Sequence, residues 1–131
     1  MPIVSLSTRA LVEDFNKRSS ALELNLTGSA DPPALVVGAT GLLDTDSSPS
    51  FYVIVESMLA EAQAAGGLIL DVEHIRYISS AGVGVCMTLF VETTKQDIPY
   101  FLYKVPACVR SVIGVLGYSS YFSYLDAYKA E

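Results

Sequence analysis

The sequence predicts an α/β fold: a mixed, mostly parallel β-sheet entered through an N-terminal hairpin and covered by helices, in a single domain. Three observations carry this. Apolar runs of strand length alternate with segments of helical periodicity from about residue 34 onward. The turn-rich Ser29-Ala30-Asp31-Pro32-Pro33 separates two strand-like runs, LELNLTG and ALVVGATG, as in a hairpin. Strand, helix, strand, helix then repeat in an order that places strands side by side in parallel with helical crossovers.

The N-terminal piece STRALVEDFNKRSS reads as one short helix with Ser7 or Thr8 as its cap. After the hairpin, LLDTDSSP is a polar loop in which Ser48 is the expected N-cap and Pro49 the first helical residue. Phe51, Ile54, Val55, Met58 and Ala62 recur at helical spacing and Gly66-Gly67 supplies the stop, so one helix is expected there. GLILDV is an uninterrupted apolar run of the kind found in a strand covered on both faces. A helix from Ser80 to Lys95 follows, apolar around most of its circumference and therefore expected to be buried. PYFLYKV is the next strand. Pro106 opens a last helix with Val109, Val112, Ile113 and Leu116 on one face and Gly117 at its end, and the tail YFSYLDAYKAE closes the domain.

Composition bounds the function. A chain of 131 residues, 51% apolar and 17% charged, buries a core without disulfides or metals. A net charge of −6 with no Lys/Arg cluster disfavours direct nucleic-acid binding, which depends on neutralising phosphates. Tyr118, Tyr121, Tyr124 and Tyr128 crowd the tail, but a base-stacking platform would interleave more than Arg110 and Lys129 among them. No apolar run approaches the ~20 residues that cross a bilayer, and the N-terminus lacks a basic segment followed by an unbroken apolar one. A cytoplasmic protein with a protein partner is expected. Cys86 and Cys108 lie in apolar surroundings without a CxxC or Cys/His cluster, so buried thiols are expected and neither a metal nor another cofactor.

The stretch YISSAGVG, residues 77 to 84, concentrates the remaining chemistry. A nucleophile elbow needs Gly two residues before the serine, where Ser80 has the branched Ile78. The single histidine, His74, has no orienting partner and reads as a surface or strand-edge residue. Gly82-Val83-Gly84 lacks the third glycine of a dinucleotide loop, since Met87 stands there, and no Walker lysine follows. Asp44 and Asp46, without a basic partner or metal ligands, read as solvated turn carboxylates. Both LLDTDSS and YISSAG lie at strand-to-helix joints, where α/β sheets gather their sites, and they share one rim if their strands are neighbours.

Three segments in order carry a family resemblance: ALVVGATGLLDTDSSPSF, GLILDVEHIRYISSAGVGV and VPACVRSVIGVLGYSSYFSYLDA. Together they resemble the STAS domain of bacterial anti-sigma factor antagonists. The most specific part is Ser-Ser-x-Gly at a helix start after an apolar strand ending in Asp71, supported by the G-x-L-D-x-x-x-x-P loop from Gly41 to Pro49 and the V-R-x-V-x-x-x-x-G-Y helix from Val109 to Tyr118. The resemblance spans residues 21–131 and leaves residues 1–20 as an N-terminal extension, either a loosely docked helix or a dimer contact in a possible homodimer. It implies a non-enzymatic, phosphorylation-switched module that sequesters an anti-sigma factor with serine kinase activity and so frees a sigma factor. The family's D-S-[ST]-G motif falls on Ser79, Ser80, Ala81 and Gly82, with Ser80 as the implied phosphoacceptor, Ser79 as the alternative, and Ser79 standing where Asp is usual. The implied partner-binding set is Asp44, Ser47, Ser79, Ser80, Ala81, Gly82 and Val83. The alternatives are a STAS module held constitutively in another regulatory or transport assembly, with Ser80 only a cap, or a sensor of a small ligand.

Overall fold

The computed structural model describes residues 4–131. Helix α1 (Leu6–Arg18) precedes the hairpin strands β1 (Leu22–Asp31) and β2 (Pro33–Leu43); α2 (Ser48–Glu56) and α3 (Leu59–Ala65) lead to β3 (Leu68–Ile78). Then come α4 (Ser80–Lys95), β4 (Tyr100–Tyr103), α5 (Ala107–Val115) and two short strands, β5 (Tyr124–Leu125) and β6 (Lys129–Ala130). The six-stranded sheet has the order β5-β4-β3-β2-β1-β6. β2, β3, β4 and β5 run parallel to one another, while β1 is antiparallel to both β2 and β6. The α/β class, the hairpin entry and the mixed, mostly parallel sheet are as the sequence predicts.

One face of the sheet carries the main core. Leu22, Leu24, Leu35, Val37, Leu68 and Leu70 on the strands meet Val12 and Phe15 of α1, Phe51 and Val55 of α2, Val83 and Leu89 of α4, and Val109 and Ile113 of α5. The opposite face is covered by the tail: Leu125 and Tyr128, with Phe101 and Tyr103, pack on Ala34, Val36 and Ile69. Ile69 is thus buried on the second face of β3 as the apolar run predicts, but under the C-terminal segment instead of a helix.

Several elements differ from the sequence reading for identifiable reasons. The cap of α1 is Ser5, whose hydroxyl accepts from Thr8 N–H at 3.2 Å and donates to Glu61 of α3 at 2.7 Å, a tertiary partner that local sequence does not reveal. The second helix is broken at Ser57-Met58: the Ser57 hydroxyl donates to the Ile54 carbonyl at 2.6 Å, and Met58 N–H returns to Val55 O in a tight turn. The N-cap position of α2 is Ser47, with Ser48 already helical. β3 runs on from GLILDV through EHIRYI because the ladder to β2 takes up an extra residue twice, between Asp71 and His74 and between Ile75 and Tyr77. These bulges space the buried Val72, Ile75 and Ile78 three apart, which hides the strand from a period-two reading.

α4 has the expected bounds, yet only Gly82 and the stripe Val83, Cys86, Leu89 and Thr93 are buried and Val91 faces outward. Cys108 is exposed, as is Leu116 at the end of α5. Cys86 is buried as expected, and burial pushes its thiol pKa up to about 12. Among the described residues no helix is long and apolar enough to cross a membrane, and no group of three or more His, Cys, Asp or Glu is placed to hold a metal.

Candidate partner-binding rim

The two loops singled out in the sequence come together because β2 and β3 are parallel neighbours. Leu43 pairs with Ile78 at the last rung, and the Ser79 N–H donates to the Leu43 carbonyl at 3.0 Å. Each strand then hands over to a helix, β2 to α2 and β3 to α4, and these two helices pack on each other.

In the first loop, Asp44 and Ser47 hold each other. Asp44 Oδ1 accepts the N–H groups of Ser47 at 2.9 Å and Asp46 at 3.0 Å. The Ser47 hydroxyl accepts the Asp44 N–H at 3.0 Å and donates to the Leu42 carbonyl at 2.9 Å, and the Ser48 hydroxyl donates to the Asp44 carbonyl. The backbone N–H groups, that of Ser47 first, hold the Asp44 carboxyl below its ordinary pKa. Ser47 and Ser48 are buried while Thr45 and Asp46 are exposed. The surface of this loop is therefore Thr45, Asp46 and the free side of Asp44, with Ser47 as internal bracing.

In the second loop the two hydroxyls have separate positions. Ser79 adopts extended backbone angles and its hydroxyl accepts the Gly82 N–H at 3.2 Å, which makes it the N-cap of α4. Ser80, the first helical residue, and Ala81 are exposed, and among the described residues the Ser80 hydroxyl has no hydrogen-bond partner. Gly82 and Val83 are buried. A Cβ on Gly82 would lie 2.6 Å from the Leu43 carbonyl oxygen and 2.7 Å from Ile78 Cγ1, so the absent side chain lets the first turn of α4 rest on the ends of both strands. Thus of the sequence-predicted set, Asp44, Ser79, Ser80 and Ala81 present themselves outward and Ser47, Gly82 and Val83 support them.

Beside Ser80 a shallow groove runs between α2 and α4, with Pro49 and Tyr52 on one wall and Ala81, Val85 and Thr88 on the other. The Tyr52 hydroxyl donates to Glu56 Oε2 at 2.6 Å, a bond that holds its pKa up at about 12. Sequence reasoning passed over Tyr52 and Thr88 because each stands alone in a helical stripe, and only the crossing of the two helices joins them. Arg18 was missed for a similar reason: with Phe15 and Ser19 it lines a depression whose other wall is Asp46, Ser47 and Ser50, so α1 borders the same rim.

Asp71 and His74 belong elsewhere. Asp71 lies within β3, level with Gly38 and Tyr103, and not at the strand's end. Burial raises its pKa even though the Glu73 N–H donates to Oδ1 at 3.1 Å. His74 is exposed on the same strand, its Nε2 3.6 Å from Glu73 Oε1. The rim combines the exposed Ser80 hydroxyl, an acidic loop and the positive end of a helix, an arrangement suited to being bound or modified.

A family model for the STAS domain matches residues 23–130. The chain belongs to the STAS domain family. A comparison with curated protein sequences gave no significant match. Among solved structures, an anti-sigma factor antagonist from Mycobacterium paratuberculosis is similar with a TM-score of 0.64 and 14% identity, covering 82% of this chain and 87% of that one. The anti-sigma factor antagonist SpoIIAA in its unphosphorylated form gives 0.62 and 18% identity, with 80% and 88% covered. SLC26A9 contains a similar region, with a TM-score of 0.57, 16% identity, and 87% of this chain but 22% of that one covered. At these identities the likeness is one of fold, and the STAS fold occurs both as a small separate chain and as part of a much larger one.

Proposed function

We propose that this STAS domain is an anti-sigma factor antagonist: a non-catalytic, phosphorylation-switched binding module for an anti-sigma factor that is also a serine kinase. Binding that partner withholds it from a sigma factor, and phosphorylation of Ser80 releases it. The observation that carries the reading is the division of labour in the second loop. Ser79 spends its hydroxyl on the helix cap while the neighbouring Ser80 hydroxyl is exposed and free, so modifying it costs the domain no internal bond. A phosphoryl group there adds roughly −1.5 to −2 charges at the positive end of α4, where the domain tolerates it and a docked partner does not. The Ser79 hydroxyl also replaces the usual acidic neighbour as cap, leaving the loop uncharged before modification.

The test is incubation with the candidate switch kinase encoded nearest this gene and ATP, followed by mass spectrometry of the modified peptide. Phosphate on Ser80, with loss of the complex, is expected. A complex that forms but never acquires phosphate on any serine sinks the switch. The second reading, a STAS module held constitutively in another assembly, is favoured by the similarity to part of SLC26A9 and predicts that outcome.

A further inference from the structure

The groove between α2 and α4 has two features that the fold itself does not require. Gly84 lines it, inside the regular part of α4, and a Cβ there would meet no atom within 4 Å beyond its chain neighbours and its own helix backbone, the reverse of Gly82 two residues earlier. Glycine weakens a helix relative to alanine, so α4 gains nothing from it, and what the missing side chain leaves is room in the groove. The end of the groove away from the rim is acidic. Ser48, Tyr52 and Glu56 follow one another at steps of four along α2, and Ser80, Gly84, Thr88 and Glu92 do so along α4, so each row starts at the rim and ends in a carboxylate. Both carboxylates act on Tyr52: its hydroxyl donates to Glu56 Oε2 at 2.6 Å, and the charge of Glu92 joins that of Glu56 in raising its pKa. One cation stands nearby, the exposed Lys95, 3.7 Å from Glu92 Oε1.

We infer that this groove seats an arginine of the docking partner, its methylene stem lying over Gly84 between Pro49 and Val85 and its guanidinium at Glu56 and Glu92. The inference rests on the proposed function and names the chemistry by which the anti-sigma partner is held, since the groove begins at Ala81, next to the acceptor serine. An arginine fits both features at once. Its long apolar stem covers apolar walls while the charged head stays at the polar end. Its planar guanidinium forks between two carboxylates as the compact ammonium of lysine does not. Charge favours a partner of this kind over a second copy of the chain, which would bring its own net charge of −6 to the contact.

The test titrates the purified kinase used above with the full chain, with Gly84→Leu, with Glu56→Gln and Glu92→Gln combined, and with Ser80→Asp. Two controls lie away from the groove: Gly114→Leu on α5, where a Cβ would stand 3.8 Å from the Ser119 hydroxyl, and Glu13→Gln, exposed on α1. Folding of each variant is checked by circular dichroism and melting, and Gly84→Ala repeats the test with a smaller change. Both Gly84 variants are expected to melt at or above the temperature of the parent, because either residue forms helix better than glycine. Gly84→Leu and the double glutamine variant are expected to bind at least tenfold more weakly, Gly84→Ala to weaken binding in the same direction, and the controls to stay within twofold. If Ser80→Asp weakens binding while Gly84→Leu and the double variant bind as the parent does, the groove is outside the interface and the rim reading stands. If Gly84→Leu weakens binding and the double variant does not, the occupant carries no cation and the inference is overturned. If the parent chain does not bind the kinase, both readings fall. If sedimentation shows a parent dimer that Gly84→Leu dissociates, the occupant is a second copy and the inference is again overturned.

Discussion

Gly82 and Leu43 touch across the junction of the two site loops, with room for a hydrogen and none for a methyl group: a Cβ at residue 82 would stand 2.6 Å from the Leu43 carbonyl oxygen. That oxygen also accepts the Ser79 N–H, so the contact governs the cap, the acceptor serine and the end of β2 together. Gly82→Ala is expected to cost about 1–3 kcal/mol through overpacking against backbone that has no rotamer to yield. It is also expected to weaken partner binding although residue 82 is buried. An unchanged urea midpoint would show that α4 shifts freely at this point.

The two adjacent serines are expected to separate cap from switch. Ser79→Ala removes the bond to Gly82 N–H and lowers stability by ~1 kcal/mol, leaving Ser80 available to the kinase. Ser80→Ala retains binding and loses phosphorylation. Ser80→Asp weakens binding tenfold or more while the melting temperature stays near that of the parent, since a carboxylate is favourable at a helix N-terminus. Equal affinities of Ser80→Ala and Ser80→Asp for a verified partner would remove Ser80 from the interface.

Removal of residues 1–19 is expected to destabilise the domain. From the sequence alone the N-terminal piece is an extension, either loosely docked or a dimer contact, and a merely peripheral one would be lost at little cost. In the structure Val12 and Phe15 enter the main core, and the Asn16 side-chain amide exchanges hydrogen bonds of 2.9 Å and 2.8 Å with the backbone of Leu24 on the outer side of β1. Burial of the two apolar side chains alone corresponds to roughly 3–6 kcal/mol. Denaturant unfolding of the truncated chain measures this, and a midpoint matching the parent's would return α1 to the status of an appendage.

Acid sensitivity is expected at the clasp between α1 and α3. Burial acts to raise the Glu61 pKa, but hydrogen bonds from the hydroxyls of Thr8 and Ser5 and from the Ser5 N–H prevail, and the folded value lies below the ordinary 4.5. The contribution is therefore complete above pH 4.5 and is lost as pH falls through the lower folded value. Glu61→Gln should lower stability at pH 7 and converge on the parent in acid. Asp71 has the opposite sign: its raised pKa favours the protonated form in the fold, so Asp71→Asn should stabilise the protein at pH 7 and lose that advantage in acid. Parallel stability curves for parent and variants across this range would contradict both assignments.

What the sequence revealed was whatever local chemistry decides. The bounds of α4 were legible because Ser79 is a cap and the stretch behind it is apolar, and the shared rim followed from two strand-to-helix joints on strands that proved adjacent. The extent of β3 was not, because its bulges break the alternation that marks a strand. The break at Ser57 turns on a hydroxyl that bonds its own helix, and the place of α1 on contacts with Glu61 and Leu24, far along the chain. At the site, the family resemblance implied Ser80 with Ser79 as the alternative, and the structure adds that it is the Ser79 hydroxyl that accepts the Gly82 N–H.

The last strands, β5 and β6, lie at opposite margins of the sheet, one against β4 and the other against β1. A single ribbon, residues 124–130, thus closes part of each raw edge at which a foreign strand could add. On the ribosome the β4 margin stays open until residue 125 has emerged and the β1 margin until residue 130, so protection against strand-by-strand aggregation follows the synthesis of every other strand. A proteolytic cut after Ser123 would reverse it in one event, uncovering both margins together with the apolar floor of Ala34, Val36 and Ile69. Such a cut would then be felt as a change in solubility, with every residue of the rim still in the chain.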